Sequence, residues 1–397
     1  MKRPSYMNNQ SLKSSRGFSM VELMVAIVIG LVLLAGVSSV MVSTKRSYNT
    51  QDSLGRLQEN ARIAMVILER ALRNAGYIGC NIDPNNVTTV VDQSADPISF
   101  NLANLLEGSE NGSNWYPSGS TLASTLKDSS GNPVTPRAGT DLIYVRGAES
   151  AGTLQLKGKM NNQSASLKVD SPSGIVAGQI LILSDCSSTD IFQATGVNTS
   201  APFDNIIHNT GSSTPGNVPL QGGAKLSKPY GEDAKLMSFQ SSIYYIGTGK
   251  SGEPALFRRR IALDGSFLTE ELVEGIENLQ VLYGEDTNGD RIPDPKPGET
   301  YPYRKAGDVT NWDNVVAVRF GIVARALANL NADRRTANRV EDTKPLDVDG
   351  DGNPDFLGTE STSTTSDTGV TIKDRLYDRR MFRTTVLLRN FVNKEAS

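Results

Sequence analysis

Histidine is almost missing from this 397-residue chain: His208 is the single one. Imidazole chemistry therefore has one candidate, and its polar surroundings, residues 205–210, read as a solvated loop. No Ser/His/Asp arrangement and no metal-hydrolase spacing supports an enzyme. Cysteine is also scarce, with only Cys80 and Cys186. Charge of either sign is not in excess: 40 basic and 43 acidic residues leave −3, so no overall field draws nucleic acid. Proline is absent between residues 5 and 83, so nothing in that stretch is bound to break a helix.

What is present begins with a membrane-length apolar run. Residues 18–42 read FSMVELMVAIVIGLVLLAGVSSVMV. As a helix they span about 37 Å, enough to cross a bilayer. The run is too long for a secretory signal peptide, and no small-residue cleavage site follows it. Lys2, Arg3, Lys13 and Arg16 precede the span, against Lys45 and Arg46 just after it, which favours a cytoplasmic amino terminus. If this segment exports the body, Cys80 and Cys186 are expected to form a disulfide.

Glu22 is the anomaly in the run. An ionisable group inside a membrane segment is costly and needs a partner. It lies four residues, about 6 Å along a helix, beyond Phe18. Cutting between Gly17 and Phe18 would create an α-amino group near that carboxylate. The amino terminus of one subunit and Glu22 of the next are then natural partners at low dielectric.

A short basic leader, then Gly17, Phe18 and Glu22 opening an apolar helix, resembles the signal of type IV prepilins and type II secretion pseudopilins. The resemblance implies cleavage after Gly17 by a prepilin peptidase, N-methylation of Phe18, and helix packing in a filament core. The expected organisation is a leader (1–17), a long pilin helix (18–75) with its transmembrane half at 18–42, and a β-rich exported body (76–397). Fold class is α+β, the helix packed on the body.

The helix is legible past the membrane. Leu54, Leu57, Ala61, Ala64, Leu68, Ala71 and Ala75 recur at spacings of three and four, one amphipathic face, and Gly76 is a suitable stop. Beyond it, Ile98–Phe100, Asp141–Val145, Ile180–Leu183, Ser242–Ile246 and Ala255–Phe257 read as strands. Residues 105–139 and 198–229 read as surface loops, as do the Ser/Thr-rich residues 359–370. Residues 272–283, 314–326 and 380–391 complete the strand pattern. Arg258, Arg259 and Arg260 read as a solvated basic face. Gly249-Lys250-Ser251 is not a phosphate loop, because Tyr244 stands where its first glycine belongs.

Two acidic segments share one spacing. Asp286, Asn288, Asp290 and Asp294 place side-chain oxygens at positions 1, 3, 5 and 9, and Asp347, Asp349, Asp351 and Asp355 repeat it. Such alternation wraps a loop around calcium, which takes six to eight oxygens. Glu299 and Glu360, each at position 14, are candidates to complete the sites. An EF-hand is excluded by Pro293, Pro295 and Pro354 and by the missing glutamate at position 12. The competing reading is a pair of Asx-Gly turns. Calcium is the one cofactor these residues suggest.

The order of Cys80, Ser184-Asp185-Cys186, the 283–290 segment, the 316–325 strand and the terminal 383–390 strand is similar to PilW-type minor pilins. That resemblance implies a part in initiating a type IV pilus, held in the inner membrane and then in the pilus fibre at the cell surface. The partners it implies are other minor pilins, the major pilin and a PilY-type tip adhesin. The alternatives are a minor pseudopilin of a type II secretion system, or an anchored calcium-dependent surface adhesin.

Overall fold

The computed structural model describes residues 19–80, 86–94, 104–122, 126, 134–149, 152–210, 214–220, 223, 225–327, 347–351 and 379–389. Gly17 and Phe18, the strand expected at 98–100 and the loop expected at 359–370 lie outside them. The chain divides into two units, residues 1–52 and 53–397.

Helix α1 (Met20–Asn74) is 55 residues long and unbroken, as the absence of proline allows. Within the first unit its apolar residues, Met20 to Val42, are exposed. In the second unit the pattern changes to one buried stripe: Ser53, Leu57, Ala61, Ala64, Leu68 and Leu72. Leu72 replaces the expected Ala71, which is half-buried, and Ala75 completes the face beyond the helix. Gly76 ends the helix with φ of 73°, a left-handed conformation that glycine adopts at no steric cost. Its N–H then donates to the Arg146 carbonyl at 2.9 Å, so the chain leaves the helix already tied to the sheet.

The strands of the body follow in chain order. First come β1 (Val87–Thr89), β2 (Leu106–Ser109), β3 (Trp115–Tyr116), β4 (Leu142–Ala148) and β5 (Leu154–Gln155). Next are β6 (Leu167–Asp170), β7 (Ile180–Ser184), β8 (Thr189–Gln193), β9 (Gly196–Ser200) and β10 (Phe203–Ile207). Then come the long strands β11 (Lys235–Thr248), β12 (Pro254–Ile261), β13 (Phe267–Glu274) and β14 (Ile276–Glu285). The last are β15 (Tyr303–Arg304), β16 (Val315–Arg325) and β17 (Arg379–Leu387).

They form three sheets. The largest runs β1-β8-β7-β11-β4-β2-β3, with β12 and β13 extending from β11 and β5 paired to it; the others are β6-β10-β9 and β15-β14-β16-β17. Strand β11 is the organiser, because its first half pairs with β7 and its second half with β4 and β12. The α1 stripe packs on Ile143, Val145, Tyr244 and Ile246 of the large sheet, and on Leu279, Val281, Phe320 and Ile322 of the C-terminal one. Ala61 and Ala64 on the contact face let the helix backbone come close. Tertiary burial, rather than helix propensity, fixes this half of α1.

Residues 105–139 and 198–229 are not simply surface loops. They contain β2, β3 and β10, and Trp115 is fully buried against Tyr144, ring centroids 5.4 Å apart. Periodicity misses β2 because one hydrophobe, Leu106, is all that the four residues offer. Pairing with β4 across Leu106–Val145 to Ser109–Leu142 is what makes the strand. His208 is not solvated either: it is 2 % exposed, at the end of β10. Its Nε2 lies 2.9 Å from the Ala165 carbonyl and its ring meets Phe192 edge-on.

Replacing Leu68 by Ala opens a hole under the helix and is expected to cost about 2–5 kcal/mol, read by chemical denaturation of the whole chain. Burial pushes the His208 pKa below its ordinary 6.5. The unfolded histidine takes up protons first, so this part of the stability is present above about pH 6.5 and is lost as pH falls toward the lowered value. Melting temperature is therefore expected to fall between pH 7.5 and 5.5, and His208→Gln, which keeps a donor for Ala165, is expected to reduce the fall.

Candidate functional site

Glu22 lies in the first turn of α1, where a carboxylate complements the positive end of the helix dipole. The helix opens with the Leu23 N–H on the Ser19 carbonyl at 3.1 Å, so Glu22 precedes a long stretch of exposed aliphatic surface. Gly17 and Phe18, the expected cleavage and methylation residues, lie outside the described residues.

Cys80 and Cys186, 106 positions apart in the chain, are joined in a disulfide with Cα atoms 4.5 Å apart. The bridge fastens the segment leaving α1 to the turn between β7 and β8. Closing a loop of that length constrains the unfolded chain by on the order of 4–5 kcal/mol in the chain-entropy model.

The C-terminal sheet brings both acidic segments to one side. Gly284 on β14 and Gly321 on β16 share a face by register, through the pairs Gly284–Ala317 and Gln280–Gly321. The first segment folds back there, and a Cβ on Gly284 would lie 2.7 Å from Pro293. Residues 347–351 cross the same face, and a Cβ on Gly321 would strike the Val348 carbonyl. Arg319 sits on the face as well, with Nη1 donating to the Tyr301 hydroxyl at 2.8 Å and its guanidinium 4.4 Å from the Tyr303 ring.

The two segments differ in what their carboxylates do. Asp286 accepts from the backbone N–H groups of Asn288, Gly289 and Arg291 at 3.1, 2.7 and 2.7 Å. Hydrogen bonds from Thr287 hold the Asp294 carboxyl below the usual range. The Asn288 amide donates to both Asp290 and Asp294 at 3.2 Å, standing between them. This segment is a self-satisfied Asx-turn loop. In the second, ligand oxygens of Asp347, Asp349 and Asp351 all lie within 4.8 Å of one another, and Asp349 is buried. Gly350 N–H caps Asp347, and Arg383 approaches that carboxylate at 3.7 Å. The donor set of this segment fits a hard cation, although Asp349 also accepts from the Asp351 N–H at 2.9 Å, and in the first segment the Asn288 amide lies between two of the carboxylates. Glu299 is exposed in a turn closed by its own N–H on the Lys296 carbonyl; Asp355 and Glu360 lie outside the described residues.

Sequence reading missed two buried polar centres. Glu277, fully buried at the start of β14, receives Arg379 Nε at 2.6 Å, and Arg325 and Arg137 each at 3.3 Å. Arg325 also meets Glu253, so the ends of β12, β14, β16 and β17 share one ion network. Glu285 at the other end of β14 accepts from Arg304 at 2.7 Å and from the N–H groups of Thr310 and Asn311. The signal was an acid at each end of the apolar stretch 276–285, but its partners come from distant positions. The solvated reading of Arg258–Arg260 is also corrected. Alternation along β12 sends Arg259 to the buried side, over the Phe267 ring at 3.8 Å. Arg258 and Arg260 both bind Glu270.

Two family models match this chain. Type IV Pilus-assembly protein W matches residues 243–390, which span β12 to β17 and both acidic segments. The prokaryotic N-terminal methylation motif matches residues 12–38, which include Gly17, Phe18 and Glu22. No curated protein gives a significant match. The methylation motif followed by an apolar helix points to anchoring in the inner membrane before assembly.

Glu277→Ala is expected to cost about 3–5 kcal/mol in denaturant unfolding, because it leaves buried guanidinium groups without their carboxylate. Glu299→Ala, at an exposed turn, is expected to leave stability within about 0.5 kcal/mol.

Proposed function

We propose, from the premise that this chain is a PilW-type type IV pilin, that it serves as a minor pilin in pilus initiation and tip-complex assembly. The observation that carries this is α1 itself. Its first half is an exposed aliphatic rod with one acid in the opening turn, and its second half belongs to the body's core. Such a rod is stable in lipid or among other helices, and a minor pilin passes from the first to the second.

In this reading the leader is removed after Gly17 by a prepilin peptidase, and the new amino group of Phe18 is methylated. The amino terminus begins on the cytoplasmic side, consistent with the basic leader. On assembly Glu22 pairs with the amino terminus of a neighbouring subunit, an interaction strengthened by the apolar surroundings. The disulfide-fastened body is carried to the cell surface, where it meets other minor pilins, the major pilin and a PilY-type adhesin. No step requires catalysis by this chain.

Glu22→Ala is expected to leave insertion in the membrane unchanged and to cut the number of pili per cell about tenfold or more, as one lost buried charge pair implies. Pili counted by electron microscopy at the parental number, with the variant protein present in the fibre, would exclude this role for Glu22.

Calcium is proposed for the second acidic segment alone. Three carboxylates so close together repel one another, and a divalent cation removes that repulsion. Calcium is expected to raise the melting temperature of the whole chain, and Asp349→Asn is expected to abolish that rise. An equal rise in Asp349→Asn, or none in the parent, rejects the site.

A further inference from the structure

Between α1 and the face of β4, β11 and β12 lies a cleft of about 440 Å³, and all of its lining residues belong to the second unit. Val66, Ile67 and Arg70 of α1 form one wall. Ser242 and Tyr244 of β11 form the floor, with Arg258 of β12 beside Tyr244 in the register. A second hollow of about 80 Å³ continues from it, sharing Ser242 and Arg258 and adding Arg260. Together they make a trough, half apolar along the helix wall and cationic along the sheet.

The cationic side is built rather than incidental. Arg258 and Arg260 are two residues apart on β12 and therefore face the same way. Both converge on Glu270 of β13: Oε2 accepts from Arg258 Nη2 at 2.7 Å and from Arg260 Nε at 3.0 Å, while Oε1 accepts from Arg260 Nη2 at 3.1 Å. Two guanidinium groups thus share one carboxylate, and the two arginine side chains and the acid stay about one-third exposed, at 30 %, 31 % and 27 %. Arg70 adds a third cation from the helix wall. Glu149, where the two hollows meet, opposes them with one charge. Arg146, the fourth arginine of the lining, is fully buried and paired with buried Glu107, so Arg70, Arg258 and Arg260 against Glu149 and Glu270 leave the trough positive. Val66, 46 % exposed beside Arg70, gives an apolar contact next to that charge.

We propose that this trough docks an extended acidic peptide segment of another protein, its carboxylates meeting Arg70 and the Arg258–Arg260 pair and its apolar side chains lying on Val66 and Ile67. A small inorganic anion would satisfy one guanidinium and leave the helix wall wet. A segment alternating acidic and apolar side chains fills both kinds of surface, as peptide grooves with specific polar anchors do. The proposal stands apart from the part this chain plays in a pilus, because binding is measured on the purified protein alone.

The test uses the whole chain in nanodiscs of zwitterionic lipid, with empty nanodiscs as background. Fluorescence anisotropy follows a labelled octapeptide of alternating Glu and Leu, and one of alternating Lys and Leu. The Glu peptide is expected to bind and the Lys peptide to stay at background. Binding of the Glu peptide is expected to weaken severalfold between about 50 and 300 mM salt, as for partly exposed charge pairs. Arg70→Glu is expected to weaken it about fivefold or more without lowering the melting temperature, and Arg70→Lys to retain most of it. Equal binding of the Lys peptide, no loss in Arg70→Glu, or no binding of the Glu peptide overturns the proposal. So does displacement by equimolar inorganic phosphate, which would mark a small-anion site. Self-association of the chain that Arg70→Glu abolishes would assign the trough to a second copy and overturn it equally.

Discussion

One unbroken helix in this protein has to satisfy two different surroundings. Its outer half, from Ser53, buries a single stripe of Leu and Ala against two sheets, and the body's main core is assembled around that stripe. Its inner half shows aliphatic side chains on every face. The first pattern needs a protein core on one side, and the second needs an apolar medium all round. Everything else in the structure follows from holding these two requirements on one rod.

The body meets its side with unusual polar fastening. Glu277, Glu285 and Glu107 are all buried: Glu277 receives three guanidinium groups, from Arg137, Arg325 and Arg379, while Glu285 and Glu107 each pair with one, from Arg304 and Arg146. Such pairs are weak evidence of net stability, but breaking one partner is costly, so they fix which strands lie together. The disulfide adds a covalent tie at the place where the chain leaves the helix.

How much of this was readable from residues alone differs by feature. The 18–42 run, Glu22 and the 57–75 stripe are local, and their spacing reports their surroundings directly. The long strands near 242–246, 314–326 and 380–391 were legible for the same reason. β2 was not, because its burial comes from β4 and not from its own sequence. His208 misled in a similar way: polar neighbours hid a ring that tertiary packing covers. The arginines around Glu277 could not be paired in advance, since Arg137 and Arg379 lie 140 and 102 positions away from it. The two acidic segments share a spacing that did not show which carboxylates converge: in the fold, those of Asp347, Asp349 and Asp351 do, while the Asn288 amide stands between Asp290 and Asp294.

Mass spectrometry of the mature chain, purified from membranes, tests the central claim most directly. The account predicts a polypeptide that begins at Phe18, carries one added methyl on its amino terminus, and holds Cys80 and Cys186 in one bridged peptide pair. A chain that still begins at Met1, with residues 1–17 in place, would contradict it.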